Sequence, residues 1–300
     1  MRTVFLGTSD FAAALLRDLA AGPHRPALVL TRPDRPAGRG RKLSSPPVAV
    51  SARELGLELA QPDSVNEDAA RELIAAVHPR AVIVCAFGAL IKEPLLAEHE
   101  LLNVHPSLLP RWRGAAPIER AIMAGDERTG VSIMRVTAGL DSGPVCLAGE
   151  EPIGAQDTYG SLSARLQRLG GGLLVDALDR LAGGERLLFA EQDDATATYA
   201  EKIAAPDRLL DPAHPAAELE RVVRALSPHI GARLVLPDGS FLRVRRAERA
   251  EPGTPSGGGL YSSDGRLLLG CSPGALELLE VQPPGGRPMD AASYLRGHAG

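Results

Sequence analysis

The sequence predicts an α/β protein in which a doubly wound, mostly parallel sheet is followed by a smaller β-barrel. Three observations predict it. The chain opens with an apolar strand, Thr3-Val4-Phe5-Leu6, that enters a glycine turn and then a helix. Apolar runs and helical patterns then alternate as far as residue 181, as parallel strands joined by crossover helices require. In the last third the pattern changes to short apolar runs separated by turn signals, which suits a small barrel.

The elements follow in order. Gly7-Thr8-Ser9-Asp10 turns the first strand into a helix over residues 11–21, which Gly22-Pro23 stops. The turn lacks a full G-x-G-x-x-G, so Gly7 reads as a tight-turn residue and evidence for a dinucleotide site is weak. Ala27-Leu28-Val29-Leu30 is the next strand, and it runs into Pro33-Asp34-Arg35-Pro36-Ala37-Gly38-Arg39-Gly40-Arg41-Lys42. Such a segment cannot bury apolar area and should project as a loop. It reads either as an ordinary solvated loop or as an arm whose guanidinium groups fork onto phosphate oxygens. Helical patterns over 48–55 and 69–77 alternate with strands over 57–60 and 81–87. The second strand is an uninterrupted Ala-Val-Ile-Val-Cys-Ala-Phe run, as expected for a parallel strand buried on both faces.

The chain is organised around residues 101–117, Leu-Leu-Asn-Val-His-Pro-Ser-Leu-Leu-Pro-Arg-Trp-Arg-Gly-Ala-Ala-Pro. Read as a strand that stops at Pro106, it places Asn103 and His105 on one face and Leu102 and Val104 on the other. A neutral amide and a group that titrates near neutrality then stand together at a strand's end, where open α/β sheets keep their chemistry. Taken alone, the pair also fits a satisfied buried polar couple. A helix over 116–124 follows, ended by Gly125-Asp126, then a strand over 131–136 and the loop Gly139-Leu140-Asp141-Ser142-Gly143. Asp141 by itself would be a turn-forming residue. Because it follows a strand that should neighbour Asn103 and His105, a shared site is reasonable.

Asp157-Thr158 can cap a helix running to residue 169, which Gly170-Gly171-Gly172 should interrupt before a second helix reaches residue 181. The triple glycine follows a helix and has no Lys-Ser/Thr behind it, so it reads as a break and not a phosphate loop. The pattern then loses its period. We expect a first domain over 1–186, a linker over 187–206 and a second domain over 207–300. In the second domain Leu219, Val222, Val223 and Leu226 share a helix face, and Pro237-Asp238-Gly239 between apolar runs signals a hairpin. Arg243, Arg245, Arg246 and Arg249 cluster on one strand and the turn after it, as a solvated edge or a nucleic-acid-facing surface.

Composition narrows the classes. Three hundred residues with a 44% hydrophobic fraction supply a sizeable core, and 3% aromatics leave Ala, Leu and Val as its packing material. A formal net charge of −4 excludes a whole-protein basic field, so any nucleic acid must be held by local patches. Cys85, Cys146 and Cys271 are odd in number and lack the paired spacing of zinc sites, which fits a reduced compartment. With no signal or transit pattern and no apolar stretch long enough to span a bilayer, we expect a soluble, cytoplasmic protein without a membrane partner.

Taken together these stretches resemble the methionyl-tRNA formyltransferases. The resemblance covers nearly the whole chain: residues 5–12, the arginine loop 33–40, the central stretch 103–117, the loop 139–143, Thr198-Tyr199-Ala200-Glu201-Lys202-Ile203 and the helix from Leu219 to Ala225. The Asn-x-His pair with an Asp would be shared by a broader formyltransferase superfamily, whereas the arginine loop, residues 111–117 and the second domain narrow it. The resemblance implies a Rossmann-like formyltransferase domain followed by an OB-like β-barrel. It implies 10-formyltetrahydrofolate as formyl donor, no metal, and the α-amine of methionyl initiator tRNA as acceptor, with no obligate protein partner. Asn103, His105 and Asp141 match the family's catalytic positions. Ser107, Leu108, Leu109 and Pro110 sit where the family binds tetrahydrofolate, and Phe87, Gly88 and the backbone around Asp141 would line the pterin pocket. Arg39 matches the loop arginine that the family uses at the acceptor end of the tRNA. Arg35, Arg41, Lys42, Arg243 and Arg245 would add contacts to the tRNA backbone. Lys92, Phe87 and Pro212 depart from the family's usual proline, tyrosine and tryptophan.

Formyl transfer needs a free amine lone pair, a stabilised oxyanion and a folate nitrogen that leaves protonated. Asn103 and His105 would donate to the oxyanion, and Asp141 would accept the amine's proton directly or through a water. The rivals are a folate-dependent formyltransferase acting on a glycinamide ribonucleotide or sugar nucleotide, and a non-catalytic RNA-binding protein that kept the barrel. A dehydrogenase falls behind both, because its fingerprint is missing.

Overall fold

Strand β1 (Thr3–Gly7) is buried along its whole length and pairs on both sides in a seven-stranded sheet. A Cβ on Gly7 would lie 2.7 Å from Phe5 Cε1 and 2.9 Å from Ala12 Cβ, so only glycine lets this strand turn directly into helix α1 (Asp10–Ala21). Ser9 caps that helix, its hydroxyl accepting from the Ala12 amide at 3.3 Å. The computed structural model describes residues 1–37 and 42–297.

The chain continues through β2 (Leu28–Leu30), β3 (Arg35–Ala37), β4 (Lys42–Ser44), α2 (Pro47–Glu54), β5 (Leu59–Ala60), α3 (Asp68–Val77), β6 (Ala81–Cys85), α4 (Leu95–Glu98) and β7 (Leu101–His105). After these come β8 (Arg113–Gly114), α5 (Pro117–Ala124), β9 (Arg128–Arg135), β10 (Val145–Pro152), α6 (Tyr159–Ala182) and β11 (Tyr199–Ala200). Spatial order in the large sheet is β10-β9-β7-β6-β1-β2-β5. The strands from β7 to β5 are mutually parallel, whereas β9 runs antiparallel to β7. Val4, Leu6, Leu28, Leu30, Val82, Val84 and Leu101 form one core with Ile74 of α3. The alternate residues Phe5, Val29, Ile83 and Leu102 are equally buried, so both faces of the parallel strands are covered.

Three details differ from the sequence expectation. The arginine segment is flanked by a short antiparallel pair, Arg35↔Ser44, Pro36↔Leu43 and Ala37↔Lys42, instead of being loop throughout. The triple glycine does not break a helix, because α6 runs unbroken from Tyr159 to Ala182. A Cβ on Gly170 would stand 3.1 Å from Val104 and 3.3 Å from Val131, so the glycine lets α6 lie close on the sheet. That close approach offsets the roughly 1 kcal/mol that a helical glycine costs relative to alanine. Strand β10 went unseen, since its second half alternates intermediate and exposed positions and lacks an apolar run.

The chain divides into two compact units. The first holds Met1–Pro117, Thr129–Pro152 and Ser163–Ala200; the second holds Ile118–Arg128, Ile153–Leu162 and the chain from Glu201 onward. Residues 187–200 therefore lie with the first unit. In the second unit α7 (Ala216–Leu226), β12 (Ala232–Val235), β13 (Phe241–Arg249), β14 (Gly259–Ser263), β15 (Arg266–Gly270), β16 (Ala275–Gln282), β17 (Met289–Asp290) and α8 (Ala291–Gly297) follow. Its antiparallel sheet has the order β12-β13-β16-β15-β14, with β17 also paired to β16. Register shifts between Val244 and Ala247 bend β13, as bulges do, and the sheet curls into an OB-like half-barrel. Its core includes Leu219, Val223 and Leu226 of α7, Leu242, Val244, Leu276, Leu278 and Tyr294. The Asp238-Gly239 turn forms as expected, with Gly239 at φ 79° and Val235 opposite Phe241.

Candidate active site

The C-terminal ends of β1, β2, β6 and β7 all point the same way, since these strands are parallel. On β7 the register sets Asn103 between Val84 of β6 and Met134 of β9, and His105 opposite Ser132. Asn103 and His105 are only 8% and 4% exposed, at the end of a strand whose other members are apolar. His105 Nε2 lies 2.8 Å from the Trp112 carbonyl oxygen. A carbonyl can only accept, so Nε2 carries the hydrogen and Nδ1 is left facing the site.

Asp141 reaches this pair by an indirect route. Because β9 is antiparallel, its last residue Arg135 pairs with Leu102 and not with His105, and the following loop has to double back. The bracketing glycines allow it: a Cβ on Gly143 would lie 1.9 Å from the Arg135 carbonyl oxygen, and one on Gly139 would lie 2.2 Å from Ser142 Oγ. Asp141 itself sits at φ 45°. Its carboxylate accepts from the Gly114 amide at 2.9 Å, stands 3.6 Å from His105 Nδ1 and 3.5 Å from Asn103 Nδ2. The last two separations are long for hydrogen bonds, so neither the Asn103 amide nor His105 Nδ1 is committed to the carboxylate. The structure thus brings Asn103, His105 and Asp141 together.

The residues that hold this arrangement lie in the stretch that showed no period. Thr198 Oγ1 accepts from the Trp112 amide at 2.9 Å, and β11 pairs in parallel with β8 through Tyr199↔Arg113 and Ala200↔Gly114. Trp112 is at φ 63° and Gly114 at φ 118°, and a Cβ on Gly114 would stand 2.8 Å from the Ala200 carbonyl oxygen. Gln192 donates to the backbone oxygens of Asp141 and Gly143, and Arg113 bonds both Gln192 and Asp194. No periodicity marks Gln192 or Asp194, so only the folded chain reveals them, and Thr198 is marked only by the family resemblance, without a role.

The folate candidates fall into two groups. Ser107 is fully buried, and its hydroxyl donates to the Arg111 carbonyl at 2.6 Å, which uses it inside its own loop. Leu108, Leu109 and Pro110 are half-buried beside it, with Leu108 over Gly130. Phe87 is buried in the core, while its neighbours Ala86 and Gly88 are exposed at φ 42° and 71°. Thr8 Oγ1 donates to the Phe87 carbonyl at 2.8 Å and ties this turn to the one after β1.

Of the nucleic-acid candidates, Arg35 is exposed on β3, Arg39 and Arg41 lie outside the described residues, and Lys42 is described only in its backbone pairing. The base of that hairpin is clasped by Asp34, which accepts from Gln61 at 2.7 Å and Ser45 at 2.8 Å, with Arg53 close by. The Gln61 and Ser45 hydrogen bonds, then Arg53, hold the Asp34 carboxyl below its usual range. In the second unit Arg243 and Arg245 are half-buried and both donate to the side-chain Oε1 of Gln282. The sequence reading missed two companions. Arg208 is pushed down from its ordinary value by burial and then by the charges of Arg233 and Arg243, and its buried Nε has no hydrogen-bond partner. Arg233 and Arg243 lie opposite each other on β12 and β13, so three like charges stand near one another.

Comparison with known proteins also divides the chain in two, at a simpler boundary than the compact units do. Residues 1–178 match the family model described as formyl transferase, and residues 202–299 match the formyl transferase C-terminal domain. A methionyl-tRNA formyltransferase from Methylococcus capsulatus is 44% identical over 302 residues, covering 100% of this chain and 97% of the relative. The protein of that name from Ectopseudomonas mendocina is 44% identical over 96% of this chain and 92% of its own length. Among solved structures, HypX from Aquifex aeolicus in complex with tetrahydrofolic acid shares the fold at TM-score 0.69 and 18% identity, over 98% of this chain. This chain spans 47% of that longer protein. An N-formyltransferase from Helicobacter canadensis, in complex with folinic acid and dTDP-3-aminofucose, shares it at TM-score 0.69 and 13% identity, over 92% of this chain and 98% of its own.

Proposed function

The chain belongs to the formyl transferase family, and from that premise we propose that Asn103, His105 and Asp141 carry its reaction. It is a folate-dependent enzyme that transfers the formyl group of 10-formyltetrahydrofolate to the α-amine of methionyl initiator tRNA, a step of translation initiation. The observation that carries the mechanistic reading is the convergence of an amide and an imidazole from the end of β7 on the carboxylate of the loop after β9, each within 3.6 Å of it.

The chemistry follows from the donors and acceptors present. The attacking amine needs its lone pair free, and Asp141 takes its proton through the carboxylate oxygens that the Gly114 amide leaves accessible. Negative charge develops on the carbonyl oxygen of the transferring group. Asn103 Nδ2 and, when the ring is protonated, His105 Nδ1 donate to it. Each positioned donor of this kind is worth roughly 3 kcal/mol, about two orders of magnitude in rate. The proton held by Asp141 or His105 is returned to the departing folate nitrogen. The exposed left-handed backbone of Ala86 and Gly88 offers amide and carbonyl edges fitted to a flat heterocycle, which reads such edges by hydrogen bonding. On this reading Leu108, Leu109 and Pro110 supply apolar contact to the donor, Phe87 supports the turn from beneath, and Ser107 shapes the loop.

For tRNA, the segment of sequence that includes Arg35, Arg39, Arg41 and Lys42 engages the acceptor end, and Arg243, Arg245, Arg208 and Arg233 hold backbone phosphates. No helix among the described residues is long and apolar enough to cross a membrane. The proposed setting is the cytoplasm, with no membrane or obligate protein partner.

The test is formyl transfer from 10-formyltetrahydrofolate to methionyl initiator tRNA, with methionyl elongator tRNA as control. Formylation of the initiator alone is the expected result. Equal use of both tRNAs, or transfer to an amino sugar nucleotide in place of tRNA, would overturn the assignment of acceptor.

A further inference from the structure

Gln192 has two opposite tasks. Its Nε2 donates to the backbone oxygens of Asp141 at 2.9 Å and Gly143 at 2.6 Å, while its Oε1 accepts from Arg113 Nε at 3.0 Å. Carbonyls only accept and a guanidinium only donates, so the partners fix which way round this amide sits. Arg113 is 3% exposed and is held in turn by Asp194 at 2.7 Å. The next residue is Gly114, whose amide donates to the Asp141 carboxylate at 2.9 Å. A closed circuit therefore runs from the Asp141 carboxylate through Gly114, Arg113 and Gln192 to the Asp141 backbone. Residue 141 is gripped at both ends.

Asp141 requires such a grip. Its left-handed backbone, φ 45°, is one that side chains rarely adopt and persists only where its surroundings over-determine it. Its loop also has to turn back from the end of β9 to reach Asn103 and His105. Glutamine is the side chain that fits, since it donates and accepts through one rigid plane. Glutamate has the same shape but would set an oxygen against two carbonyl oxygens. Leucine would fill the space and supply neither bond.

We infer that Gln192, anchored by Arg113, is a positioning residue for formyl transfer that aligns the Asp141 carboxylate with Asn103 and His105. This rests on the role proposed above for Asp141. It acts on turnover more than on binding, because its hydrogen bonds go to Arg113 and to the backbone of the Asp141 loop and so set the attitude of the proton acceptor.

The test uses the full chain with 10-formyltetrahydrofolate and methionyl initiator tRNA, comparing Gln192→Glu, Gln192→Leu, Asp141→Asn and both double variants. Gln192→Glu and Gln192→Leu should lower kcat by roughly 10- to 100-fold, with KM for the formyl donor within about twofold of wild type. In the Asp141→Asn background the same substitutions should lower kcat by less than about twofold, because the group they position has already been removed. Losses that multiply in the double variants, or a raised KM with unchanged kcat, would overturn the inference while leaving the role of Asp141 intact. Wild-type turnover in Asp141→Asn would instead remove the role of Asp141 itself. If Gln192→Leu fails to fold, the isosteric Gln192→Glu decides, its melting curve showing that the fold is kept.

Discussion

The Trp112 carbonyl oxygen accepts from His105 Nε2 across 2.8 Å, and Trp112 presents it there from a left-handed backbone, φ 63°. On the proposed role of His105, the contact dictates which ring nitrogen is left for the chemistry. An asparagine side chain places its NH2 near the Nδ1 position of histidine, whereas glutamine places it near Nε2. His105→Asn should therefore keep more residual formyl transfer than His105→Gln, while His105→Gln keeps more of the thermal stability. Paired turnover and melting measurements check both halves, and the reverse ranking would show that Nε2 is the reacting nitrogen.

Asn103→Ala should lower kcat by about two orders of magnitude, the usual loss for one oxyanion donor, with tRNA binding retained. Steady-state kinetics beside a filter-binding assay separate the two quantities. An equal loss in binding would mean that Asn103 shapes the site instead of stabilising charge.

Gly114→Ala combines two penalties, a φ of 118° and a Cβ placed 2.8 Å from the Ala200 carbonyl oxygen. A destabilisation of about 1–3 kcal/mol is expected, together with loss of turnover because the Gly114 amide holds the Asp141 carboxylate. Chemical denaturation gives the first and the transfer assay the second. Gly184→Ala provides a comparison, since its φ of 86° is also positive but nothing lies within 4 Å of the added carbon.

Hydrogen bonds from Arg120 hold the Asp207 carboxyl below its ordinary value of 3.8. A folded-state value below the unfolded one contributes stability at neutral pH, which fades as pH falls below about 3.8 through the folded-state value. Asp207→Asn should thus lower the urea midpoint at pH 7, and the gap from wild type should shrink toward pH 3. A gap that stays constant with pH would mean that the ion pair contributes nothing through the charge of Asp207.

Arg208→Ala and Arg243→Ala should each weaken tRNA binding and reduce the slope of log affinity against log salt by about 0.7–0.9. Titrations at several salt concentrations read this directly. A weaker affinity at unchanged slope would point to altered packing of the half-barrel rather than to a phosphate contact.

Much of this molecule was legible before folding. Strands such as Ala81–Cys85 and Leu101–His105 announce themselves by unbroken or alternating apolar residues, and Asp238-Gly239 fixes a hairpin. Asn103 and His105 are neighbours on one strand, so local periodicity places them together. Asp141 joins them only because glycines with no room for a Cβ fold its loop back along an antiparallel strand, which no local pattern encodes. The triple glycine misled for a related reason: its propensity predicts a break, and contact with Val104 and Val131 overrides it. Thr198 and Ala200 stood out only through the family resemblance and without a role, and Gln192 was invisible because its partners are far away in the chain.

Ala200 closes the first unit by adding a strand beside Arg113 and Gly114, yet the two family matches leave residues 179–201 unassigned between them. Anyone expressing the first unit separately, and trimming it where the upstream match ends, would discard the clamp that holds Trp112, Arg113 and the Asp141 loop around the proposed reaction centre. A shortened version would still carry the asparagine, the histidine and the aspartate, and it would be inert.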